Sequence, residues 1–172
     1  AELWLAKRKP WLALAGATTI ICVDPIPSRR ELAIELGATH VVDARIEDVT
    51  AAVRATTGDG IDAALDTTGR ADVIDTALRA LRQRGKLAVV AISDAAGEHK
   101  IDLIDIIMGC KSIVGVVEGG GSARSLIPRL IDLHLEGRFP FDKLTRFYDL
   151  AQINEAADDS LSGKVIKPIL KF

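Results

Sequence analysis

The chain has 172 residues, 48% of them hydrophobic and 27% charged, with a formal net charge of -2; this suffices for one domain with a core and lacks the basic footprint of a nucleic-acid binder. No apolar run approaches the roughly 20 residues that span a bilayer, and Lys7, Arg8 and Lys9 interrupt the place where a signal peptide needs its apolar region. Two cysteines, Cys22 and Cys110, are too few for a disulfide framework or a Cys-rich metal site, so a reduced, cytoplasmic protein is expected, partnered with neither nucleic acid nor membrane.

Residues 1–17 read as roughly helical but contain Pro10, and an interior proline costs about 3 kcal/mol. Trp11 to Gly16 reads as the last turns of an apolar helix feeding a β-branched strand, Thr18 to Val23. That strand stops at Asp24, because Pro25 and Pro27 cannot continue a ladder. Ser28 and Glu31 form a capping-box pattern opening a helix. Leu32, Ala33 and Leu36 share one face of it, and Gly37 ends it. His40 to Val42 starts the next strand. Ile46 to Thr56 reads as a helix with Val49, Ala52 and Val53 inward, stopped at Gly58 to Gly60. Ile61 to Leu65 is a short strand ending at Asp66-Thr67-Thr68-Gly69.

Ala71 to Arg82 reads as a helix with Val73, Ala77, Leu78 and Leu81 inward, and Lys86 to Ile92 as an aliphatic strand. A polar loop from Ser93 to Lys100 leads to a short helix or turn, Ile101 to Met108, and a strand, Ser112 to Val117. Ser122 caps a helix to about Leu135, with Leu126, Leu130, Ile131 and Leu133 as its bulk. Phe139 to Leu150 reads as aromatic-rich loop and short extended structure, Ala151 to Leu161 as a helix, and Val165 to Phe172 as a strand containing Pro168. Strand and helix alternate throughout, which predicts an α/β fold with a doubly wound parallel sheet and right-handed crossovers.

In such sheets ligands bind outside the carboxyl ends of the strands, and an acidic residue at the tip of an early strand grips the adenosine ribose of a dinucleotide. Asp24 has that place; a plain strand-end turn before proline is the other reading of it. Thr67 and Thr68 lie at the carboxyl end of another strand. Glu98, Asp102 and Asp105 read as solvated loop charges, and Trp4 and Trp11 as core. His40, His99 and His134 are scattered, none at metal-ligand spacing.

At Val23-Asp24-Pro25, Leu36-Gly37-Ala38-Thr39-His40-Val41-Val42, Asp66-Thr67-Thr68-Gly69-Arg70 and Gly163-Lys164-Val165-Ile166-Lys167-Pro168 the chain resembles the medium-chain, zinc-type alcohol dehydrogenases, over nearly all of Trp11 to Phe172. Asp66 to Arg70 with Gly115-Val116-Val117-Glu118-Gly119 look most like the aryl (benzyl) alcohol branch. The resemblance implies a Rossmann-type sheet, with residues 1–117 a truncated dinucleotide-binding domain and 118–172 a segment returning toward the catalytic domain. It also implies that the ligands of the catalytic and structural zinc lie upstream of Ala1. The glycine-fingerprint positions fall before Ala1, at Glu2 and at Leu5, so the fingerprint and the first, central strand are expected to be absent. The strands at Thr18 and Ile61 would then face a gap. A two-base frame shift over Ala1 to Leu5 is compatible with Gly-Ala-Val-Ala, which makes the run to Pro10 read as out-of-frame translation.

By the same resemblance Asp24 accepts both ribose hydroxyls and repels a 2′-phosphate, implying NAD rather than NADP. Arg29 matches a basic residue near the adenosine ribose, an exposed first-turn arginine being the other reading of it, while Arg30 reads as solvated. Thr67 and Thr68 would border the adenosine and its ribose, a plain turn being the other reading of them. The backbone of Val90, Ala91 and Ile92 lies against the nicotinamide, with Val116 and Glu118 as carboxamide contacts. Lys167 matches a pyrophosphate contact where arginine is usual; lysine keeps the charge without the bidentate fork. The edge strand Ser112 to Val117 is expected to pair with its twin in a homodimer. The expected function is the NAD-binding portion of a zinc-dependent dehydrogenase acting on a small primary, aromatic alcohol or its aldehyde. The alternative is a catalytically silent nucleotide-binding module or gene remnant. No catalytic or metal-ligating residue is expected within the chain.

Overall fold

The structure, a computed structural model, describes residues 16–91, 99–117 and 121–172. The expectations for Trp4, Pro10, Trp11, the fingerprint positions and Glu98 lie outside them. Two compact units divide the described residues: Thr18–Gly121, and Ser122–Phe172 with Gly16 and Ala17.

In the first unit, β1 (Ile21–Val23) pairs in parallel with β2 (His40–Val42), Cys22 opposite Val41. Helix α1 (Pro27–Glu35) connects them. It opens differently from the capping-box expectation. Ile26 is the N-cap and Pro27 the first helical residue, with no side-chain cap. Proline is preorganised there and its missing N–H is one the helix never uses, so Ser28 is already inside. The inward stripe is Arg29, Ala33 and Leu36, with Leu32 half-buried. At the far end Gly37 takes φ +98°, and the amide of Ala38 returns to the carbonyl of Ala33. Thr39 then staples β2 to the start of β1: its hydroxyl donates to the Ile20 carbonyl and accepts from the Ile20 amide.

Helix α2 (Val49–Thr57) starts later than expected because Asp48 caps it, its carboxylate accepting the Ala51 amide. β3 (Ile61–Asp66), β4 (Leu81–Val89) and β5 (Ser112–Gly115) form a second parallel sheet in that order. Helix α3 (Ala71–Ala80) joins β3 to β4. β4 begins five residues before Lys86 because Leu81 already pairs with Ile61; the register then shifts, so that Ala63 faces Lys86. Gly60 is required where β3 starts: φ is +115°, and a Cβ would lie 2.5 Å from the Ala80 carbonyl oxygen. Helix α4 (Leu103–Gly109) precedes β5. Its acids are not loop charges: Asp102 caps it through the amides of Ile104 and Asp105, and Asp105 pairs with the buried Lys111 ammonium at 2.8 Å.

Buried Ala64, Ile74, Ala77, Leu78, Leu81 and Leu87 form one core cluster, and Ile21, Val23, Val42, Val53 and Ala80 another. Ile74 rather than Val73 is the fully buried residue of its turn; Val73 instead lines a cavity of about 410 Å³ shared by β1 and β3. Among the described residues β1 and β3 belong to different sheets.

In the second unit, β6 (Thr145–Asp149) and β7 (Lys167–Lys171) pair in parallel around helix α6 (Ile153–Leu161). Among the described residues this sheet has two strands, so each is an edge, where Pro168 is tolerated. Helix α5 (Ala123–Leu135) carries Pro128, and of the bulk expected inward only Leu133 is buried; Leu126 and Ile131 are exposed. His134 is held in its last turn, with Nδ1 3.0 Å from the Phe139 carbonyl. The unit closes on buried Tyr148, Ala156 and Val165. Beside them Asp159 accepts from Tyr148 Oη at 2.7 Å and pairs with Lys164 at 2.9 Å and Arg146 at 3.3 Å.

Replacing Leu87 by alanine, at a site with no exposed surface, is expected to lower unfolding free energy by about 2–4 kcal/mol, read from the urea midpoint. Lys164, and then Tyr148, hold the Asp159 carboxyl below its usual range. Its stabilising contribution is therefore complete above an unfolded carboxyl pKa of about 4 and lost as pH falls below it. The thermal midpoint of Asp159→Asn should lie below wild type at pH 6, with the gap closing at about pH 2.

Candidate functional site

Asp24 comes directly after β1 and has no exposed surface. Its amide donates to the Val42 carbonyl at 3.2 Å, extending the β1–β2 ladder by one bond. Its Oδ1 accepts the Ile26 amide at 2.8 Å, a turn closed by a side chain. Ile26 is the residue whose carbonyl then opens α1, accepting from the Arg29 and Arg30 amides. One carboxylate oxygen thus joins the strand end to the helix start, while Oδ2 lies 4.0 Å from the buried Arg29 guanidinium. The turn role and the placement of a carboxylate at the sheet's carboxyl edge coexist in the same side chain.

Arg30, expected to be solvated, is not. Its Nη1 donates to the Asp24 carbonyl at 2.6 Å and its Nη2 lies 3.0 Å from Asp43 Oδ2. The two short strands place these acceptors side by side, so one guanidinium spans both strand ends. Asp43 is buried and meets the exposed Arg45 through a two-pronged contact at 2.9 and 2.6 Å. This hydrogen-bonded pair holds the Asp43 carboxyl well below the usual carboxylate range against the opposing effect of burial.

The same device ends β3. Asp66, its last residue, is fully buried and accepts from the Thr68 amide at 2.9 Å, the Thr68 hydroxyl at 2.7 Å and the Gly69 amide at 2.9 Å. Thr67 and Thr68 are half-buried on the turn this creates. Val90 lies past β4, its amide on the Asp66 carbonyl, with half-buried Ala91 next to it. Val116 lies past β5, its amide on the Val89 carbonyl. Thr67, Thr68, Val90, Ala91 and Val116 are therefore gathered at the carboxyl ends of one sheet. Asp24 and Arg29 sit at the carboxyl end of the other. Lys167 begins β7 in the second unit and is exposed. Ile92 and Glu118 lie outside the described residues.

Asp43, Asp66 and Arg30 were missed as site residues. A signal for the two acids was present: Val-Asp, Val-Asp and Leu-Asp close three successive apolar runs at residues 24, 43 and 66. Arg30 had none, since its partners come from two strands.

A sequence profile described as zinc-binding dehydrogenase matches residues 11–136. The chain belongs to the zinc-binding dehydrogenase family. Geraniol dehydrogenase of Castellaniella defragrans is 37% identical over 91% of the chain. The benzyl alcohol dehydrogenase of Acinetobacter calcoaceticus superimposes with a TM-score of 0.92 at 42% identity over 95% of the chain. An alcohol dehydrogenase zinc-binding domain protein from Burkholderia ambifaria gives 0.92 at 46% identity, also over 95%. The chain spans less than half of each: 42%, 45% and 44% respectively. Its fold is that of these medium-chain, zinc-type alcohol dehydrogenases, a Rossmann-type α/β arrangement of parallel strands. Among its described residues no group of three or more His, Cys, Asp or Glu side chains is placed to hold a metal.

Asp66→Ala leaves the Thr68 and Gly69 amides without their acceptor. At about 1–3 kcal/mol for a hydrogen bond to a charged group, their hydrogen exchange should accelerate roughly 10–100-fold while amides in α2 keep their protection.

Proposed function

We propose that this chain is the NAD-binding portion of a zinc-dependent alcohol dehydrogenase that acts on small primary, aromatic alcohols. The observation that carries the reading is Asp24: a carboxylate fixed at the carboxyl end of a parallel strand, with a helix N-terminus directly after it. Its chemistry suits paired ribose hydroxyls, which donate, and opposes a 2′-phosphate. The aromatic substrate class is supported by the resemblance to a benzyl alcohol dehydrogenase. When bound in the whole enzyme, NAD would supply the hydride acceptor for the alcohol. Everything this chain does is binding and orientation.

In this reading Arg29 lies near the adenosine ribose, with Thr67 and Thr68 bordering it. The main chain at Val90, Ala91 and Ile92, with Val116 and Glu118, faces the nicotinamide end, and Lys167 meets the pyrophosphate. Asp24 has no exposed surface, so ribose binding must first uncover it, and the cost of that opening lowers the observed affinity. Residues 118–172 belong with the catalytic portion that the relatives carry beyond this chain's span. Two features support a homodimer through β5: Ile113 and Val114 are exposed on this edge strand, as are Leu103, Ile104, Ile107 and Met108 on α4. The two cysteines are Cys22, which is buried, and Cys110, which is exposed; so small a number is in keeping with the reducing cytoplasm. No helix among the described residues is long and apolar enough to cross a membrane.

The second reading, a nucleotide-binding module with no catalysis of its own, is favoured by the lack of a metal-holding cluster among the described residues. Both readings share one test. Calorimetric titration of NAD into the chain should show saturable binding that Asp24→Ala weakens about 10–100-fold, the loss of hydrogen bonds to a charged acceptor. Wild-type binding that is undetectable, or equal in the variant, would overturn the assignment of Asp24. Activity toward benzyl alcohol in a reconstituted full-length enzyme separates the first reading from the second.

A further inference from the structure

Six charged groups meet where β1 and β2 end. Asp24, Asp43 and Glu47 face Arg29, Arg30 and Arg45 through the ion pairs already described, together with the Glu47 carboxylate, which accepts the Asp43 amide at 2.8 Å. Three carboxylates against three guanidiniums leave the group neutral. The cation best placed to greet an extra phosphate is Arg30, which lies one helical turn beyond the Asp24 turn and is bonded to the Asp24 carbonyl. A nearby arginine is the usual device by which a dinucleotide fold takes a 2′-phosphate. Here Arg30 is largely buried and both its bonded nitrogens are engaged, one by the Asp24 carbonyl and one by Asp43.

We propose that Asp43 is a specificity-determining residue for the nucleotide: by neutralising and anchoring Arg30 at the ends of β1 and β2, it denies a 2′-phosphate the cation that would receive it. The proposal rests on the NAD reading above and adds a second carboxylate to it. Asp24 repels the phosphate directly; Asp43 acts through Arg30. Electrostatics alone sets the signs. Removing the Asp43 charge leaves the group at +1 and releases Arg30 Nη2 from its ion pair, whereas removing the Arg45 charge leaves it at -1 with Asp43 wholly committed to Arg30. Arg45 is exposed and its side chain reaches the site through Asp43, so its loss tests the idea from the solvent side.

The experiment measures Kd for NAD and for NADP, each titrated separately into the full chain at low ionic strength, for wild type, Asp43→Asn and Arg45→Met. Taking the ratio of the two constants cancels any general damage to binding. A unit charge at close range predicts that Asp43→Asn shifts the ratio toward NADP on the order of 10-fold. Arg45→Met should shift it about 3-fold the other way, since its charge lies further out and is better solvated. Both shifts should shrink at high salt. Unchanged ratios in both variants, with NAD binding retained, overturn the proposal and leave the NAD reading standing. If Asp43→Asn fails to fold by circular dichroism, Arg45→Met decides: a shift toward NADP, or none, overturns it. A wild-type chain that binds neither nucleotide removes the NAD reading and this proposal together.

Discussion

A carboxylate that accepts the amide two residues further on ends each of the first three strands, and the layout of the site depends on it. Asp24 holds Ile26, Asp43 holds Arg45 and Asp66 holds Thr68, at 2.8, 3.0 and 2.9 Å. β1 and β2 have only three residues each, too short for ladder bonds alone to define where the chain turns. A buried acid that supplies the turn's hydrogen bond fixes the end of the strand and exempts the next residues from needing a ladder partner. The next element starts from that fixed point: α1 from Ile26, and the Thr67–Gly69 turn from Asp66. Residues that must lie together at the carboxyl edge are brought there by three local closures rather than by one long-range contact.

Burying those acids demands compensation, because an isolated charge in the interior is far costlier than a paired one. The chain meets the demand in two ways. Asp66 uses only neutral donors, three of them within three residues. Asp43 and Asp24 use arginines, and Arg30 serves both strand ends at once. The difference matters for function. A carboxylate satisfied by backbone amides leaves the surrounding field unchanged by its neighbours' identity, whereas one satisfied by guanidiniums sets how much positive charge remains for a ligand.

The second unit repeats the principle at smaller scale. Asp159 is buried between Tyr148, Lys164 and Arg146, and the burial of the Tyr148 ring, with its hydroxyl given to Asp159, raises the phenol's pKa. The apolar surface is distributed less evenly. α4 and β5 expose several large aliphatic side chains, more than single scattered residues require. These belong with the proposed pairing of β5 rather than with either core cluster.

Much of the fold was legible from the sequence. The order of strands and helices came from apolar runs alternating with amphipathic ones. Asp24 stood out because Pro25 and Pro27 forbid the strand before it from running on, and the family motifs are local strings that folding does not rearrange. Boundaries moved where a competing local device won: Pro27 over Ser28 at α1, Asp48 over Ile46 at α2, and the Ile61–Leu81 pairing over a helix running to Arg82 at β4. Only the tertiary structure decided what depends on residues from different elements. Arg30 looks like any first-turn arginine until β1 and β2 bring the Asp24 carbonyl and the Asp43 carboxylate within reach of one guanidinium. Leu126 and Ile131 look like core until the small second unit leaves them uncovered. Hydrogen bonds two residues apart are written in the chain; a charge shared between two strands exists only once the strands are paired.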